Sequence, residues 1–141
     1  MSYSILIVDD SLPMRSVIKR TLKAAGYGNA DLLEAANGQE ALELMKNAWV
    51  DIVMTDYNMP VMNGLEFIKA LKKEDLSKDI PVIVISTEGH ESKIKEFVDS
   101  GAAGYITKPF TAESIRDLMV SILGETDYEE DLDESDDDFD F

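Results

Sequence analysis

Cysteine is absent from the 141-residue chain, and histidine and tryptophan each occur once. Without cysteine the chain can form neither a disulfide framework nor a thiolate-ligated metal site. Its absence fits the reducing cytoplasm, where we expect the protein to act. Long apolar runs are also missing. The N-terminal segment carries no basic region, and the apolar run at 5–8 is far too short for a signal peptide or a membrane span.

Positive charge is scarce, and the net charge is −16. Residues 125–141 hold 11 acidic and no basic residues, which leaves 18 acidic and 13 basic residues in 1–124. Nucleic-acid partners are excluded because phosphate binding needs clustered Lys and Arg, and anionic membrane surfaces are disfavoured for the same reason. We interpret 1–124 as one domain and 125–141 as an acidic tail.

The tail admits two interpretations. Its low-complexity, acidic composition predicts a disordered, solvated extension. The alternative is an interaction segment that binds a basic partner surface or the domain's own lysines. In that case its apolar residues would act as anchors: Tyr128, Leu132, Phe139 and Phe141.

Short apolar runs alternate with longer amphipathic stretches along residues 1–124. The runs predicted as strands are 5–8, 32–35, 51–55, 81–85 and 104–107, and the predicted helices are 13–25, 38–48, 65–73, 91–100 and 112–123. Ser11 is the expected N-cap of the first helix and Gly26 its expected stop. In the fourth helix Ile94, Phe97 and Val98 are expected to face inward. The alternation predicts an α/β fold with a doubly wound, five-stranded parallel sheet.

Polar residues follow four of these strands. They are Asp9 and Asp10 after the first strand, Asp56 after the third, Ser86 and Thr87 after the fourth, and Lys108 after the fifth. The carboxyl ends of parallel strands meet at one edge of the sheet, which is where such folds bind ligands. We therefore expect three carboxylates, two hydroxyls and one ammonium to converge there.

This combination of groups suits phosphoryl chemistry. Crowded carboxylates repel one another unless a cation lies among them, and an all-oxygen ligand set favours Mg²⁺. Asp56 can then attack phosphorus and form an aspartyl-phosphate. Lys108 can pair with the phosphate charge, and Ser86 can donate a hydrogen bond to a phosphoryl oxygen.

Each residue also has an ordinary structural explanation when it is taken alone. Asp9 or Asp10 could cap the first helix, Ser86 and Thr87 could cap the fourth, and Lys108 could be a solvated surface charge. Several separate strand ends that supply one consistent site are harder to explain as caps. The combination therefore favours the functional interpretation.

The sequence resembles the receiver domains of two-component response regulators over about residues 4–124, and looks closest to the single-domain CheY type. The resemblance rests on the order and spacing of five motifs, at 5–10, 51–60, 62–64, 81–86 and 104–110. It implies the flavodoxin-like, CheY-like version of the predicted fold.

The resemblance also implies a role for each site residue. Asp56 would be the phosphoacceptor and, with Asp10, would ligate Mg²⁺ directly. Asp9 would ligate the metal through water and Asn58 through its backbone carbonyl, and Lys108 would bridge the phosphoryl group and the acidic cluster. Ser86 and Tyr105 would form the switch pair. Asn58 and Glu88 would set the lifetime of the phosphoryl group. A cis bond between Lys108 and Pro109 is implied as well.

A receiver of this type is a signalling switch rather than a classical enzyme. The resemblance implies a sensor histidine kinase or a His phosphotransfer protein as phospho-donor, because the chain's own His90 is not a plausible one. It implies a downstream protein partner, with chemotaxis and the flagellar switch favoured over a phosphorelay intermediate. A monomer and a weak dimer both remain open.

Three other functions fit the sequence less well. A haloacid-dehalogenase-type phosphatase needs a second Asp two residues after the nucleophile, and that position is Asn58. A flavodoxin-like FMN carrier needs a hydroxyl- and Gly-rich loop after the first strand, where this chain has Asp9, Asp10, Ser11, Leu12 and Pro13. A pseudo-receiver that never takes phosphate is disfavoured by the complete set of acceptor residues.

Overall fold

The computed structural model describes residues 3–87 and 91–124. In this part of the chain five parallel strands form one sheet in the order β2-β1-β3-β4-β5. The strands are β1 Ser4–Val8, β2 Asp31–Ala35, β3 Ile52–Asp56, β4 Val82–Ser86 and β5 Gly104–Thr107. The helices are α1 Leu12–Leu22, α2 Gly38–Met45, α3 Gly64–Lys73, α4 Glu91–Asp99 and α5 Ala112–Leu123. The predicted fold class is confirmed.

The sheet is buried on both faces, which explains why its inner strands are continuous apolar runs. Successive side chains of β1 alternate between two hydrophobic clusters, with Ile5 and Ile7 in one and Leu6 and Val8 in the other. The first cluster is completed by α1 and α5, and the second by α2, α3 and α4. Among the described helices, none is long and apolar enough to cross a lipid bilayer.

The first two helices end earlier than predicted. α1 ends at Leu22 and is followed by a wider π-type turn over Lys23–Tyr27, in which Gly26 adopts a φ of 105°. Glycine adopts this left-handed conformation without steric cost, so the backbone leaves the helical conformation at Gly26, within the turn and not directly after the helix. At the end of α2 the amide of Lys46 donates to the carbonyl of Glu43, three residues back. This tighter hydrogen bond ends the helix at Met45, although the apolar pattern in the sequence continues to Ala48.

The prediction for α4 is correct at Phe97, which is fully buried, and wrong at Val98, whose exposed fraction is 53%. Adjacent residues lie about 100° apart around a helix axis. Phe97 is the only fully buried residue of α4. A helix that buries so narrow a stripe leaves the neighbouring position in solvent.

α3 begins in direct contact with the end of β3. Asn63 caps the helix in a reciprocal pair with Glu66, and the amide of Gly64 donates to the carbonyl of Tyr57 at 2.9 Å. A Cβ atom on Gly64 would lie 2.5 Å from the Asp56 carbonyl oxygen and 3.0 Å from the Tyr57 Cα. Only glycine therefore allows this approach of the two backbone segments.

We expect Gly64→Ala to lower the free energy of unfolding by roughly 1–3 kcal/mol, because the methyl group would overlap the Asp56 carbonyl oxygen and the two backbone segments would have to move apart. Gly28→Ala is the matched control, since a Cβ at Gly28 meets nothing within 4 Å. Its free energy of unfolding should stay within about 0.5 kcal/mol of the wild-type value. Urea titration followed by circular dichroism measures both, and equal losses in the two variants would contradict the steric argument.

Candidate functional site

Three carboxylates meet at the carboxyl edge of the sheet. Asp9 and Asp10 follow β1, and Asp56 is the last residue of β3. β1 and β3 are neighbouring parallel strands in which Val8 lies opposite Thr55, so they end side by side. Each of the three residues offers a carboxylate oxygen that lies within 4.8 Å of the others.

The two oxygens of Asp9 have different surroundings. Oδ1 accepts a hydrogen bond from the amide of Ser11 at 2.9 Å, which shapes the turn into α1. Oδ2 is buried and accepts no hydrogen bond in the described part of the chain. It lies 3.5 Å from the ammonium of Lys108. Asp9 therefore has a local structural role and also presents a buried anionic oxygen to the site.

Lys108 brings one positive charge to two carboxylates. Its Nζ lies 3.4 Å from Asp56 Oδ1 and 3.5 Å from Asp9 Oδ2, and its side chain is 16% exposed. The backbone holds the residue in place, because the amide of Lys108 donates to the carbonyl of Ser86 at 2.8 Å and so extends the pairing of β4 with β5. The bond from Lys108 to Pro109 is cis, as the family resemblance implied.

The pKa of Asp56 is raised from its usual value of 3.8. Burial is the largest cause, since it removes water from the ionised carboxylate. The Lys108 ammonium opposes the rise, while the nearby Asp9 carboxylate adds to it. One ammonium thus does not offset both the burial and the crowding of these carboxylates.

The donor set fits a hard divalent cation. The group contains three carboxylates and neither His nor Cys, which is the ligand chemistry that Mg²⁺ prefers. Within 3–87 and 91–124 no group donates a hydrogen bond to the buried Oδ2 of Asp9, so a cation bound there would displace no such donor. Asn58 lies two residues beyond Asp56 and is exposed, and its role as a carbonyl ligand stays a prediction.

The two switch residues lie on adjacent strands. Ser86 is the last residue of β4 and is fully buried, whereas Tyr105 is the second residue of β5 and is half-buried. The Tyr105 ring packs against Phe97 of α4, with ring centroids 5.6 Å apart. Glu88, which is predicted to set the lifetime of the phosphoryl group together with Asn58, lies outside the described residues, as do His90 and the tail.

Phe97 also contacts the residue that follows the acidic cluster. Its ring meets the edge of Tyr57 at a centroid distance of 5.2 Å and an interplanar angle of 72°. Lys93 of α4 lies 3.3 Å from the Tyr57 hydroxyl and 4.9 Å from the centroid of its ring. These contacts link the end of β3, through α4, to Tyr105 on β5. The sequence alone gave no signal for them.

A second contact that sequence reasoning missed supports the loop after β1. The Arg15 guanidinium donates to the carbonyl of Asp9, and its Nε donates to Glu34 of β2 at 2.9 Å. Lys19 binds the other oxygen of Glu34 at 2.8 Å, and the hydrogen bonds from Lys19 and Arg15 lower the pKa of Glu34. No local spacing joins residues 15 and 34. The one available signal was a carboxylate within the otherwise apolar run of β2.

Comparison with known proteins agrees with this geometry. The response regulator receiver domain family matches residues 5–120. The chain is 42% identical over 124 residues to the chemotaxis protein CheY1 of Helicobacter pylori, in an alignment that covers 87% of this chain and 98% of the relative. The structure of CheY4 of Vibrio cholerae, crystallised at low pH, superposes with a TM-score of 0.78 at 35% identity and covers 86% of this chain and 99% of CheY4.

A more distant receiver shares the fold. The receiver domain of a sensor histidine kinase from Pseudomonas aeruginosa, which has a magnesium ion coordinated in its active-site cleft, superposes with a TM-score of 0.78 at 19% identity, covering 89% of this chain and 100% of that domain. The family match spans most of the chain, and the motifs that carry it surround the acidic cluster described above. This chain therefore belongs to the response regulator receiver domain family, as a CheY-like regulator.

Proposed function

We propose that this regulator accepts a phosphoryl group on Asp56 and thereby changes the surface formed by α4, β5 and α5, which a partner protein recognises. The observation that carries the proposal is the position of the Lys108 ammonium, 3.4 Å from Asp56 and 3.5 Å from Asp9 at the ends of three strands. A charged group fixed beside a carboxylate before any ligand arrives needs no reorganisation during the reaction.

In the proposed reaction a carboxylate oxygen of Asp56 attacks phosphorus. The bond from phosphorus to the donor breaks, its electron pair leaves with the donor, and Asp56 becomes an acyl phosphate. The donor is a phosphohistidine of a sensor kinase or His phosphotransfer protein, or a small phospho-donor. Lys108 pairs with the negative charge of the transferred group, so the protein contributes positioning and charge stabilisation.

Asp10 and Asp56 would hold Mg²⁺ directly, Asp9 through water, and Asn58 through its backbone carbonyl. When bound, the ion offsets the repulsion between the carboxylates and the incoming phosphoryl oxygens. The distant kinase receiver binds magnesium in its own cleft. Because it is only 19% identical to this chain, it supports the fold of this chain and not its metal binding. The proposal rests on the donor set of Asp9, Asp10 and Asp56.

The switch would work by a change of hydrogen-bond partner. A phosphoryl oxygen on Asp56 offers a new acceptor to the Ser86 hydroxyl, which lies at the end of the neighbouring strand β4. As Ser86 shifts, the Tyr105 ring moves into the vacated space and changes its packing on Phe97. The phosphoryl group thereby biases two existing conformations through its different contacts in each. Asn58 and Glu88 would set how long the phosphoryl group persists.

The physiological setting we propose is chemotaxis in the cytoplasm, with a component of the flagellar switch as the partner. Relatives from Helicobacter pylori, Campylobacter jejuni and Vibrio cholerae that match over at least 90% of their own length are named as chemotaxis proteins, which favours this setting over a phosphorelay intermediate. In this role the protein is a signalling switch rather than a classical enzyme.

Intact-mass measurement after incubation with acetyl phosphate and Mg²⁺ tests the acceptor. We expect one phosphoryl group on the wild type, and none without Mg²⁺ or in Asp56→Asn. The matched control is Asp75→Asn, because this exposed carboxylate lies away from the site and pairs with Lys78. It should be modified like the wild type. An adduct on Asp56→Asn, or none on a folded wild type, would overturn the proposal, and the latter result would identify a pseudo-receiver.

Backbone amide NMR shifts test the switch. In Ser86→Ala, Asp56 should still be modified, but the shift changes in α4, β5 and α5 on adding the phospho-donor should be several-fold smaller than in wild type. Ser16→Ala, which removes an exposed hydroxyl on α1, is the control and should leave those changes intact. If Ser86→Ala responds as fully as the wild type, Ser86 does not transmit the change.

A further inference from the structure

The face of the molecule formed by α1 carries unbalanced positive charge. Between Ser11 and Ala30 the chain has four basic residues and no acidic one. Arg15 and Lys19 share the single carboxylate of Glu34. Arg20 and Lys23 are exposed and form no ion pair with any residue of 3–87 or 91–124. An acidic partner is therefore favoured next to these two side chains.

The same two residues border a groove of about 490 Å³ between α1 and the start of α5. The floor of the groove is mainly apolar, so that an apolar side chain would lose water on entering it. The lining residues besides Arg20 and Lys23 are Val17, Thr21, Ala24, Phe110 and Ala112. A groove with this floor and rim fits an aromatic side chain that is flanked by carboxylates.

The chain itself contains a segment of that chemistry. Residues 125–141 lie outside the described part, and their sequence has 11 acidic residues, no basic residue, and aromatic residues at Tyr128, Phe139 and Phe141. Phe139 is preceded and followed by Asp. This pattern of an aromatic residue between carboxylates is complementary to the groove in both polarity and charge.

The segment is long enough to reach the groove. It follows α5, whose first residue, Ala112, forms part of the groove wall. A path back along α5, which has 12 residues, covers about 18 Å. An extended chain from Gly124 to Phe139 spans up to about 50 Å. Because the segment is covalently attached to the domain, even a weak contact would form at high effective concentration.

We propose that residues 125–141 dock onto the groove between α1 and α5 of the same chain. Phe139 or Phe141 occupies the apolar floor, and the neighbouring carboxylates face Arg20 and Lys23. These exposed charge pairs contribute less as the salt concentration rises, so the contact weakens in high salt.

Paramagnetic relaxation enhancement in the full chain tests the proposal. Because the chain has no native cysteine, Ser135→Cys allows a nitroxide to be attached at one known position in the segment. Signal intensities with the active nitroxide are compared with those after the nitroxide has been reduced. We expect the amide signals of 17–24 and 110–112 to lose most of their intensity, and those of α2 and α3 to stay nearly unchanged. Broadening spread evenly over the surface, or concentrated on another face, would overturn the proposal.

Charge reversal separates a specific contact from general attraction. The double variant Arg20→Glu with Lys23→Glu should abolish most of the broadening in the groove. Lys69→Glu with Lys73→Glu makes the same change of charge at exposed positions on α3 and should leave the broadening unchanged. Equal effects of the two variants would show that only net charge matters, and the groove would then have no specific occupant.

Two further arms test the apolar anchor and the connection within one chain. Phe139→Ser with Phe141→Ser should reduce the broadening even though the charge is retained, and unchanged broadening would overturn the assigned anchor.

The last sample mixes two kinds of chain: one carries the nitroxide but no ¹⁵N, and the other carries ¹⁵N but no nitroxide. The amide signals of the ¹⁵N chains should not broaden. Broadening in the mixture as strong as within the labelled chain would show that the groove takes the segment of a second copy, which contradicts docking within one chain.

Discussion

Electrostatic crowding at one edge of the sheet is the constraint on which the site depends. The parallel strands bring Asp9, Asp10 and Asp56 close together, and the ammonium of Lys108 lies near two of them. Burial and the charge of Asp9 raise the pKa of Asp56 in spite of that ammonium. Such an arrangement favours a further cation, and it can then accept a group whose oxygens also bind cations. The same feature thus explains the proposed metal and the proposed phosphoryl chemistry.

The surrounding structure keeps these charged groups in place and links them to the surface. Gly64 lets the first turn of α3 pack directly on the backbone of Asp56, and Arg15 ties the carbonyl of Asp9 to Glu34 of β2. From the end of β3 an aromatic contact runs through Phe97 to Tyr105. Small movements beside Asp56 can therefore alter packing on α4 and β5, because closely packed aromatic rings have little room to shift independently.

Much of this could be predicted from the sequence, for physical reasons that differ between elements. All five strands were predicted to within one residue at each end, since strands buried on both faces leave continuous apolar runs. Convergence of the three carboxylates followed from parallel pairing. The ends of α1 and α2 and the exposure of Val98 were missed, because hydrogen-bond closure and the width of the buried stripe depend on tertiary packing. The pairing of Arg15 with Glu34 is long-range and has no local pattern. The individual roles came from the family resemblance, since an Asp at a strand end also caps turns, as Asp9 does through Ser11.

The most direct test of the crowding argument is the free energy of unfolding of the wild type and Asp56→Asn at pH 7, with a chelator and then with Mg²⁺. The pKa of the Asp56 carboxyl is higher in the folded protein than in the unfolded chain, so above the unfolded pKa its ionisation contributes unfavourably to folding. Without metal, Asp56→Asn should therefore be more stable than the wild type by on the order of 1 kcal/mol. Mg²⁺ should stabilise the wild type and have much less effect on the variant, because it binds the folded state through Asp56. A variant that is less stable than the wild type without metal, or equal stabilisation of both proteins by Mg²⁺, would contradict the account.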